Sequence, residues 1–409
     1  MGTINEAVSP QKAFSAVEEI LRPGHPLKGS PSVHLDALRG FAAFSVLLNH
    51  WRDALFVDYS SLSHHNPLIA IAYLIAGLGH AWVIVFFVMS GYLVGGSVLR
   101  SMSSDRWSWR SYLLARGTRL YMVLIPALLL GGALDWSGMH LAGSQILYSG
   151  HSGMHALTAN VHATLTLPIL FGNMLFLQTS SLPSVLHHSV PTFGSNGPLW
   201  SLCNEFWYYI AFPIAVLLFT EGRSWRARLV CVLGLIFWGI LLGADIVLLG
   251  IPWLMGVAIA YLPAVPARRR RARRTVVALS LVLLAGGLTL DKELNSLSGD
   301  LILGVIVSIL IWVILHCATD PVAHAYKRIA RRAGRSSYTL YLVHLPLLIF
   351  LKAWLHLPRS APGWNSCLVS VGLLIPILIY AQAIYALFEK HTDRLRNWLK
   401  PRVLGRSTV

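Results

Sequence analysis

The chain has 409 residues, of which 55% are hydrophobic and 12% are charged. Because soluble domains carry about 25% charged residues, this composition excludes an ordinary soluble protein and indicates an integral membrane protein. The formal net charge of +16 does not predict nucleic-acid binding, since the basic residues form short blocks between apolar stretches, as the positive-inside rule describes. Membrane lipids, and no nucleic acid, are therefore the expected partners.

The apolar stretches predict an all-α membrane protein with about ten transmembrane helices. A polar N-terminal tail (1–34) precedes a helix at 35–52, and the apolar run at 67–79 lies at the interface or leads into a helix at 79–99. The next helix follows the basic block after residue 99 and ends at about 134. Further single helices are predicted at 199–219, 337–357 and 366–388, and two helices each within 229–264 and within 275–318. A basic tail (390–409) follows. Basic blocks at 100–119, 268–274 and 327–335 then share the cytoplasmic side with both termini.

Residues 135–198 contain no Lys or Arg and form a long outer loop in this topology. If the apolar piece LTLPILFGNMLFLQ crossed the membrane alone, every later basic block would lie outside, so a re-entrant or interfacial segment is predicted. The loop's histidines have spacings that fit no established ligand pattern, and no carboxylate accompanies them (His140, His151, His155, His162, His187 and His188). No metal site is predicted.

Two polar residues interrupt the first hydrophobic helix. Arg39 and His50 are eleven residues apart, which returns to nearly the same azimuth, about 16 Å further along the helix. An ionisable group in a bilayer is costly unless it faces a cavity or a partner, so this face is a candidate functional site. In the alternative interpretation, Arg39 anchors the helix at the headgroups and His50 caps its outer end.

Two further motifs flank the first basic block. Ser90 lies within FFVMSGYLVGG, where Gly91 and Gly95 form a small-xxx-small face that favours close helix packing over catalysis. Arg116 and Arg119 are spaced i,i+3 and share a helix face. They are either positive-inside anchors or a clamp for phosphate groups, which guanidinium forks bind well.

Glu205 is the one carboxylate clearly embedded in a predicted span, and Ser201 precedes it by one turn on the same face. A buried carboxylate needs a partner or a proton. Counting residues from the helix ends places Glu205 and His50 both about 10 Å from the outer side, so the two side chains are expected to meet. In SSYTLYLVHLP, Tyr341 and His344 share one face, and Pro346 frees a backbone carbonyl.

Together these strings resemble the acyltransferase-3 family of integral membrane O-acyltransferases. The resemblance rests on LDALRG with a histidine eleven residues after its arginine, FFVMSGYL, the arginine pair before Pro126, LWSLCNEFWY, SYTLYLVHLP and the closing YALFEK. It covers residues 35–389 in the family order and corresponds to the membrane domain only. The sequence departs from the family at Phe206, where a second carboxylate is common. A role for a carboxylate pair is therefore not expected, and Glu205 is the one candidate carboxylate.

The resemblance implies transfer of an acyl group, usually acetyl, from cytoplasmic acyl-coenzyme A to a hydroxyl of a carbohydrate or lipid-linked glycan at a bacterial-type inner (plasma) membrane. Acetyl-coenzyme A is the donor substrate, and no permanently bound cofactor is expected. Arg39, Arg116 and Arg119 would hold the coenzyme A phosphates, His50 would act as general base, and Glu205 would orient it. The substrate pore would be lined by Ser90, Trp200, Ser201, Tyr341 and His344.

Two other functions remain open at this stage. The buried His, Glu and Arg residues would also suit the relay of a proton- or solute-coupled transporter. Against that, the two halves of the sequence show no internal repeat, which is the usual mark of alternating access. A catalytically inactive subunit of a polysaccharide export system is the third possibility.

Overall fold

The computed structural model describes residues 29–104, 106–178, 190–220, 224–263 and 270–404. Residues 1–28 of the predicted N-terminal tail lie outside the described residues, and so do the loop histidines His187 and His188. The described part is helical and contains no β-strand; a single parallel bridge joins Phe56 to Ser360. This agrees with the predicted all-α membrane fold.

The helices, numbered in chain order, begin and end close to the limits of the apolar stretches. They are α1 Ser30–Leu55, α2 Pro67–Ala76, α3 Gly79–Ser90, α4 Gly96–Ser103, α5 Trp109–Met139, α6 Gln145–Tyr148, α7 Val161–Thr164, α8 Leu167–Met174, α9 Leu199–Leu218, α10 Trp225–Leu242, α11 Ala244–Ala258, α12 Arg270–Leu294, α13 Leu297–Cys317, α14 His324–Trp354, α15 Trp364–Leu387 and α16 Thr392–Leu404. A π-helical turn, Gly91–Gly95, joins α3 to α4.

Eight helical segments among the described residues are long and apolar enough to cross a membrane. One of them runs from Pro67 to Ser103, so the short apolar run of α2 does lead into the next helix. Helix α1 is not among the eight; it carries four charged side chains, Asp36, Arg39, Arg52 and Asp53, which lower its mean hydropathy. The count of ten spans and the sidedness of the termini therefore stay predictions.

Two helices begin or extend where the sequence predicted basic connections. Helix α14 begins at His324, well before the predicted start at 337, so the basic block 327–335 is helical. The C-terminal basic region also forms a helix, α16. Lys, Arg and Ala have high helix propensity, which carries both helices beyond their apolar segments. In the long loop, the apolar piece forms α8, which has 8 residues and is too short to span a bilayer.

Helix α14 occupies the centre of the bundle. In its apolar 18-residue stretch, 83% of the residues are buried, against 28% in the corresponding stretch of α12. Helix α1 packs along it in parallel. A Cβ on Gly40 would lie 2.4 Å from the Ala333 Cβ, so the two backbones approach closely near their beginnings. At their other ends, the Ser360 amide donates to the Leu55 carbonyl over 3.1 Å. This pair aligns the motifs of the two helices.

Two prolines inside helices leave carbonyls that side chains from other segments satisfy. Pro346 removes the amide that would bond to the Leu342 carbonyl, and Asn196 Nδ2 donates to that carbonyl instead, over 2.9 Å. In α9, Pro213 likewise frees the Tyr209 carbonyl, which accepts from the Tyr112 hydroxyl over 3.0 Å. These hydrogen bonds tie the loop before α9 to α14, and α5 to α9.

Candidate active site

A cavity of about 710 Å³ lies between α1, α3, α5, α9 and α14 and reaches the junction of α15 and α16. Arginines from the first halves of α1, α5 and α14 gather at the end of the bundle where these helices begin. We call this end the basic end. Of the residues predicted from sequence, the cavity wall brings together seven from five helices. They are Arg39, Ser90, Arg116, Arg119, Ser201, Glu205 and Tyr341.

Arg39, Arg116 and Arg119 lie in this wall and form no ion pair within 4.0 Å in the described part of the chain. Arg116 Nε is buried without a hydrogen-bond partner, and its guanidinium lies 6.0 Å from the Tyr209 ring centroid. Arg335 adds another basic side chain to the same wall. An unpaired, partly desolvated guanidinium favours an anionic ligand, because an anion would supply its missing hydrogen-bond acceptors.

Three acidic groups share the basic end of the cavity, and one of them, Asp393, pairs with Arg396 over 3.0 Å. Glu389 accepts a hydrogen bond from Thr339 Oγ1 over 2.5 Å. Among the described residues, no cationic nitrogen lies within 4.0 Å of the Glu389 carboxylate. Asp36 also lines the cavity, where its backbone packs against Gly334 at the crossing of α1 and α14. The three central arginines therefore remain available to a ligand.

Ser90 and Glu205 form the centre of a polar cluster in the cavity. Ser90 Oγ donates to Glu205 Oε1 over 2.6 Å, and the Tyr209 hydroxyl donates to the same carboxylate oxygen. Trp253 Nε1 in turn donates to Ser90 Oγ over 3.2 Å. These bonds supply the partner that a buried carboxylate requires.

Close packing of α3 and its π-helical turn against α11 places Ser90. A Cβ on Gly91 would lie 1.8 Å from the Trp253 carbonyl oxygen, and a Cβ on Gly95 would lie 2.4 Å from Val257 Cγ2. The predicted small-residue packing face is therefore confirmed. The same contact also brings Trp253 within hydrogen-bonding distance of Ser90, so packing and the polar cluster depend on one another.

A second hydroxyl pair lies in the same cavity wall. Ser201 Oγ and the Tyr341 hydroxyl are 2.7 Å apart, and the Tyr341 hydroxyl also donates to the Pro198 carbonyl over 3.2 Å. Ser201 lies one turn before Glu205 on α9, as the spacing predicts, and both face the cavity. The wall thus carries hydroxyl groups from three helices close to one carboxylate.

His50 and His344 do not line the cavity; they stack on each other beyond Tyr341. Their ring centroids are 5.2 Å apart, and those of Tyr341 and His344 are 6.3 Å apart. His344 Nδ1 pairs with the Leu340 carbonyl at 2.9 Å, whereas His344 Nε2 and His50 Nδ1 are buried without hydrogen-bond partners. Each imidazole therefore keeps one ring nitrogen free for a ligand.

The expected contact between Glu205 and His50 is wrong. Among the described residues, no hydrogen bond or ion pair joins them, since Glu205 bonds to Ser90 and Tyr209 while His50 stacks on His344. Equal depth along two helices does not bring side chains together unless the helices also turn the right faces towards each other. Helix α1 turns His50 towards α14, its parallel neighbour.

Trp200 also lies away from the cavity wall. Its ring stacks on His80 with centroids 6.0 Å apart and lies edge-on to Phe87 at 6.2 Å. His80 Nε2 is 2.7 Å from Asp300 Oδ1. The LWSL motif is therefore divided: Ser201 faces the cavity, whereas Trp200 contacts a cluster of ionisable groups outside it.

Carboxylates accompany one histidine of the long loop, contrary to the expectation from sequence. His155 Nε2 lies 3.3 Å from Asp58 Oδ1, and its backbone amide donates to Asp53 Oδ1 over 3.2 Å. Arg359 Nη2 lies 3.2 Å from Asp58 Oδ1. Partial burial raises the pKa of Asp58, but the neighbouring Arg359, His155 and Arg52 lower it more, so the pKa lies below its ordinary value.

Several residues of the site were missed at the sequence level. Tyr209 follows Glu205 by one turn, so its contact with the carboxylate was predictable from helical spacing. Arg335 belongs to a basic block that the sequence assigned to anchoring alone, and Tyr338 follows it in the cavity wall. Trp253 carries no signal in the sequence, because its role depends on the packing of α11 against α3.

A family model described as an acyltransferase domain, Acyl_transf_3, matches residues 33–385 of the chain. No curated protein and no solved structure shows a significant match. The matched range includes every cavity residue predicted from sequence and ends shortly before Glu389, which also lies in the cavity wall.

Proposed function

The chain belongs to the acyltransferase-3 family of membrane acyltransferases, and we propose that it is an O-acyltransferase. In this proposal it moves an acyl group, most simply acetyl, from acyl-coenzyme A to a hydroxyl of a carbohydrate or lipid-linked glycan, in a bacterial-type inner membrane. The observation that carries the proposal is a cavity with unpaired arginines next to a cluster of hydroxyl groups. Family membership does not favour the transporter alternative.

The basic end of the cavity suits the phosphates of coenzyme A. Arg39, Arg116 and Arg119 come from two helices, lack ion pairs among the described residues, and lie in one wall. Guanidinium groups bind phosphate oxygens in bidentate fashion, and each charged hydrogen bond contributes about 1.5–3 kcal/mol. We assign these three residues to donor binding. In the topology predicted from the positive-inside rule, this end faces the cytoplasm, where acyl-coenzyme A is made.

The hydroxyl cluster suits the thioester. Ser201 and Tyr341 form a pair 2.7 Å apart, and Tyr209 lies nearby on Glu205. Hydroxyl donors stabilise the oxyanion that develops when a carbonyl is attacked. In the proposal, Tyr341 serves this purpose, while Glu205 fixes Ser90 and Tyr209 in position and has no direct role in orienting His50.

His50 is the proposed general base, with His344 as its neighbour. As the acceptor oxygen bonds to the thioester carbonyl carbon, its proton passes to the imidazole of His50. The carbon–sulfur bond then breaks, and the coenzyme A thiolate takes that proton from the imidazolium. An imidazole suits this exchange near neutral pH, and the free ring nitrogens of His50 and His344 support it.

The donor site is tested with purified protein in liposomes and radiolabelled acetyl-coenzyme A. Arg116→Gln combined with Arg119→Gln is expected to raise the KM for acetyl-coenzyme A by about 10- to 100-fold or more, from the loss of charged hydrogen bonds. The matched control is Arg226→Gln, since Arg226 is exposed and stacks on Trp225. An unchanged KM in the double variant would contradict the assignment.

The base is tested by His50→Ala, which is expected to lower transfer by about 10²- to 10⁴-fold and to leave coenzyme A binding intact. His316→Ala is the matched control, because His316 is also a half-buried helix histidine and pairs with the Trp312 carbonyl. Full activity in folded His50→Ala protein would remove the base from the mechanism. Folded wild-type protein that neither binds coenzyme A nor turns over would overturn the proposed function as a whole.

A further inference from the structure

Three metal-ligating side chains meet away from the cavity, near the turn between α12 and α13. His80 lies at the start of α3, Asp291 near the end of α12, and Asp300 near the start of α13. One potential ligand atom from each lies within 4.8 Å of the other two. None of the three belongs to the proposed acyl-transfer site, and the inference below does not depend on that function.

The two carboxylates of this cluster are buried side by side. Asp291 is 3% exposed and Asp300 is 6% exposed, and Asp291 Oδ1 has no hydrogen-bond partner. Two carboxylates at this separation cannot both be ionised in a buried place unless a cation neutralises them. In the described residues no Lys or Arg nitrogen lies within 4.0 Å of either carboxylate, and Lys292 Nζ lies 3.5 Å from the Tyr73 carbonyl instead.

The second acidic cluster of the protein shows the contrast. Asp53 and Asp58 also meet a histidine, His155, with ligand atoms within 4.8 Å. There, however, Arg359 and Arg52 lie within 3.9 Å of these carboxylates and neutralise them. Arginine partners remove the need for a metal ion there. Among the described residues, the His80 cluster has no arginine partner: its one cationic group is the His80 imidazole, 2.7 Å from Asp300, and a single imidazole cannot neutralise two buried carboxylates. A metal ion would supply the missing positive charge.

The His80 cluster is also accessible from outside the bundle. The His80 side chain is 49% exposed, which leaves a direction from which a cation can enter and a water molecule can complete its coordination. His80 Nε2 is 2.7 Å from Asp300 Oδ1, so a small rotation of the exposed ring opens the space that a metal needs between them. Metal–ligand distances of about 2.0–2.2 Å place neighbouring ligand atoms roughly 3 Å apart.

We propose that His80, Asp291 and Asp300 bind a divalent cation of the Zn²⁺ or Mn²⁺ class. One imidazole nitrogen and two carboxylate oxygens are a donor set that these ions accept. The ion would clip α3 to the α12–α13 hairpin. Because the His80 ring stacks on Trp200, it would also hold the start of α9, where the next residue, Ser201, faces the cavity.

The test measures metal content and thermal stability of purified full-length protein. Wild type is stripped with a chelator, dialysed against Zn²⁺ or Mn²⁺, and analysed by elemental mass spectrometry. One equivalent per chain and a higher Tm with metal are expected. His80→Phe keeps a ring against Trp200 but removes the ligand, so it is expected to lose both the bound equivalent and the metal-dependent rise in Tm.

Two controls locate the site. His140→Phe changes another histidine whose ring contacts a tryptophan, Trp136, with ring centroids 4.5 Å apart, and is expected to keep the metal. Asp58→Asn is expected to keep it as well. A wild type that binds no metal would mean that Asp291 and Asp300 share a proton, and the proposal fails. It also fails if His80→Phe retains the equivalent or if Asp58→Asn loses it. His80 is half-exposed, so its variant tests the proposal even if Asp291→Asn does not fold.

Discussion

Replacement of Gly91 by alanine tests whether close backbone contact between α3 and α11 places the polar cluster. The new Cβ would lie 1.8 Å from the Trp253 carbonyl oxygen, while real Cβ contacts do not fall below 3.0 Å. The two helices would therefore have to separate by about 1.2 Å, because a backbone oxygen cannot rotate away as a side chain can. Overpacking of this kind costs about 1–3 kcal/mol.

The same separation acts on the site. Trp253 Nε1 donates to Ser90 Oγ over 3.2 Å, and a further shift of about 1 Å puts that contact beyond hydrogen-bonding distance. Gly91→Ala is thus expected to lower the Tm of the purified protein and also its rate of acyl transfer, since Ser90 loses one of the groups that hold it against Glu205. Both quantities are measured in one detergent preparation.

Gly286→Ala is the matched control. Gly286 lies within α12, and a Cβ there would meet no atom within 4 Å. Alanine is favoured over glycine in helices by about 1 kcal/mol, so this variant is expected to melt at or above the wild-type temperature with unchanged turnover. If Gly91→Ala and Gly286→Ala have the same Tm, the close contact between α3 and α11 is refuted. If it melts lower but keeps full activity, the link from packing to Ser90 is refuted.

Two buried or partly buried carboxylates give further predictions. Asp135 accepts hydrogen bonds of 2.7 Å from both the amide and the hydroxyl of Ser195. Asp135→Asn is therefore expected to cost about 1–3 kcal/mol of stability and to lower the Tm. The control Asp245→Asn changes an exposed carboxylate and is expected to leave the Tm unchanged, so equal Tm values in the two variants would contradict the prediction. The lowered pKa of Asp58 means that its ion pairs, including that with Arg359, stabilise the fold above the ordinary pKa and are lost as pH falls through the folded-state pKa. Acidification from about pH 5 to about pH 3 should therefore lower the Tm less in Asp58→Asn than in wild type, and an identical acid response would exclude Asp58 as a source of stability.

Family membership and site geometry support the proposed function in different ways. The family match establishes the acyltransferase class for residues 33–385. The cavity adds which members of the sequence motifs share one space and which do not. His50 and Trp200 lie outside the cavity wall although their motifs resemble those of the family, and this separates donor binding from the proposed base.

Local sequence determined the helices and the residues that share a helix face. Long apolar stretches cannot leave backbone groups unpaired in a bilayer, so they form helices. Helical periodicity then decides that Ser201 and Glu205, or Arg116 and Arg119, point the same way. All four line the cavity, in agreement with their spacing.

Only the tertiary structure decided which helix faces pack against each other. From another helix, Glu205 accepts a hydrogen bond from Ser90, more than one hundred residues earlier in the chain, and His50 stacks on His344. Periodicity within one helix says nothing about its rotation and depth relative to another, because those depend on the packing of small residues such as Gly91 against a backbone elsewhere. The metal-ligating cluster around His80 is invisible in the sequence for the same physical reason.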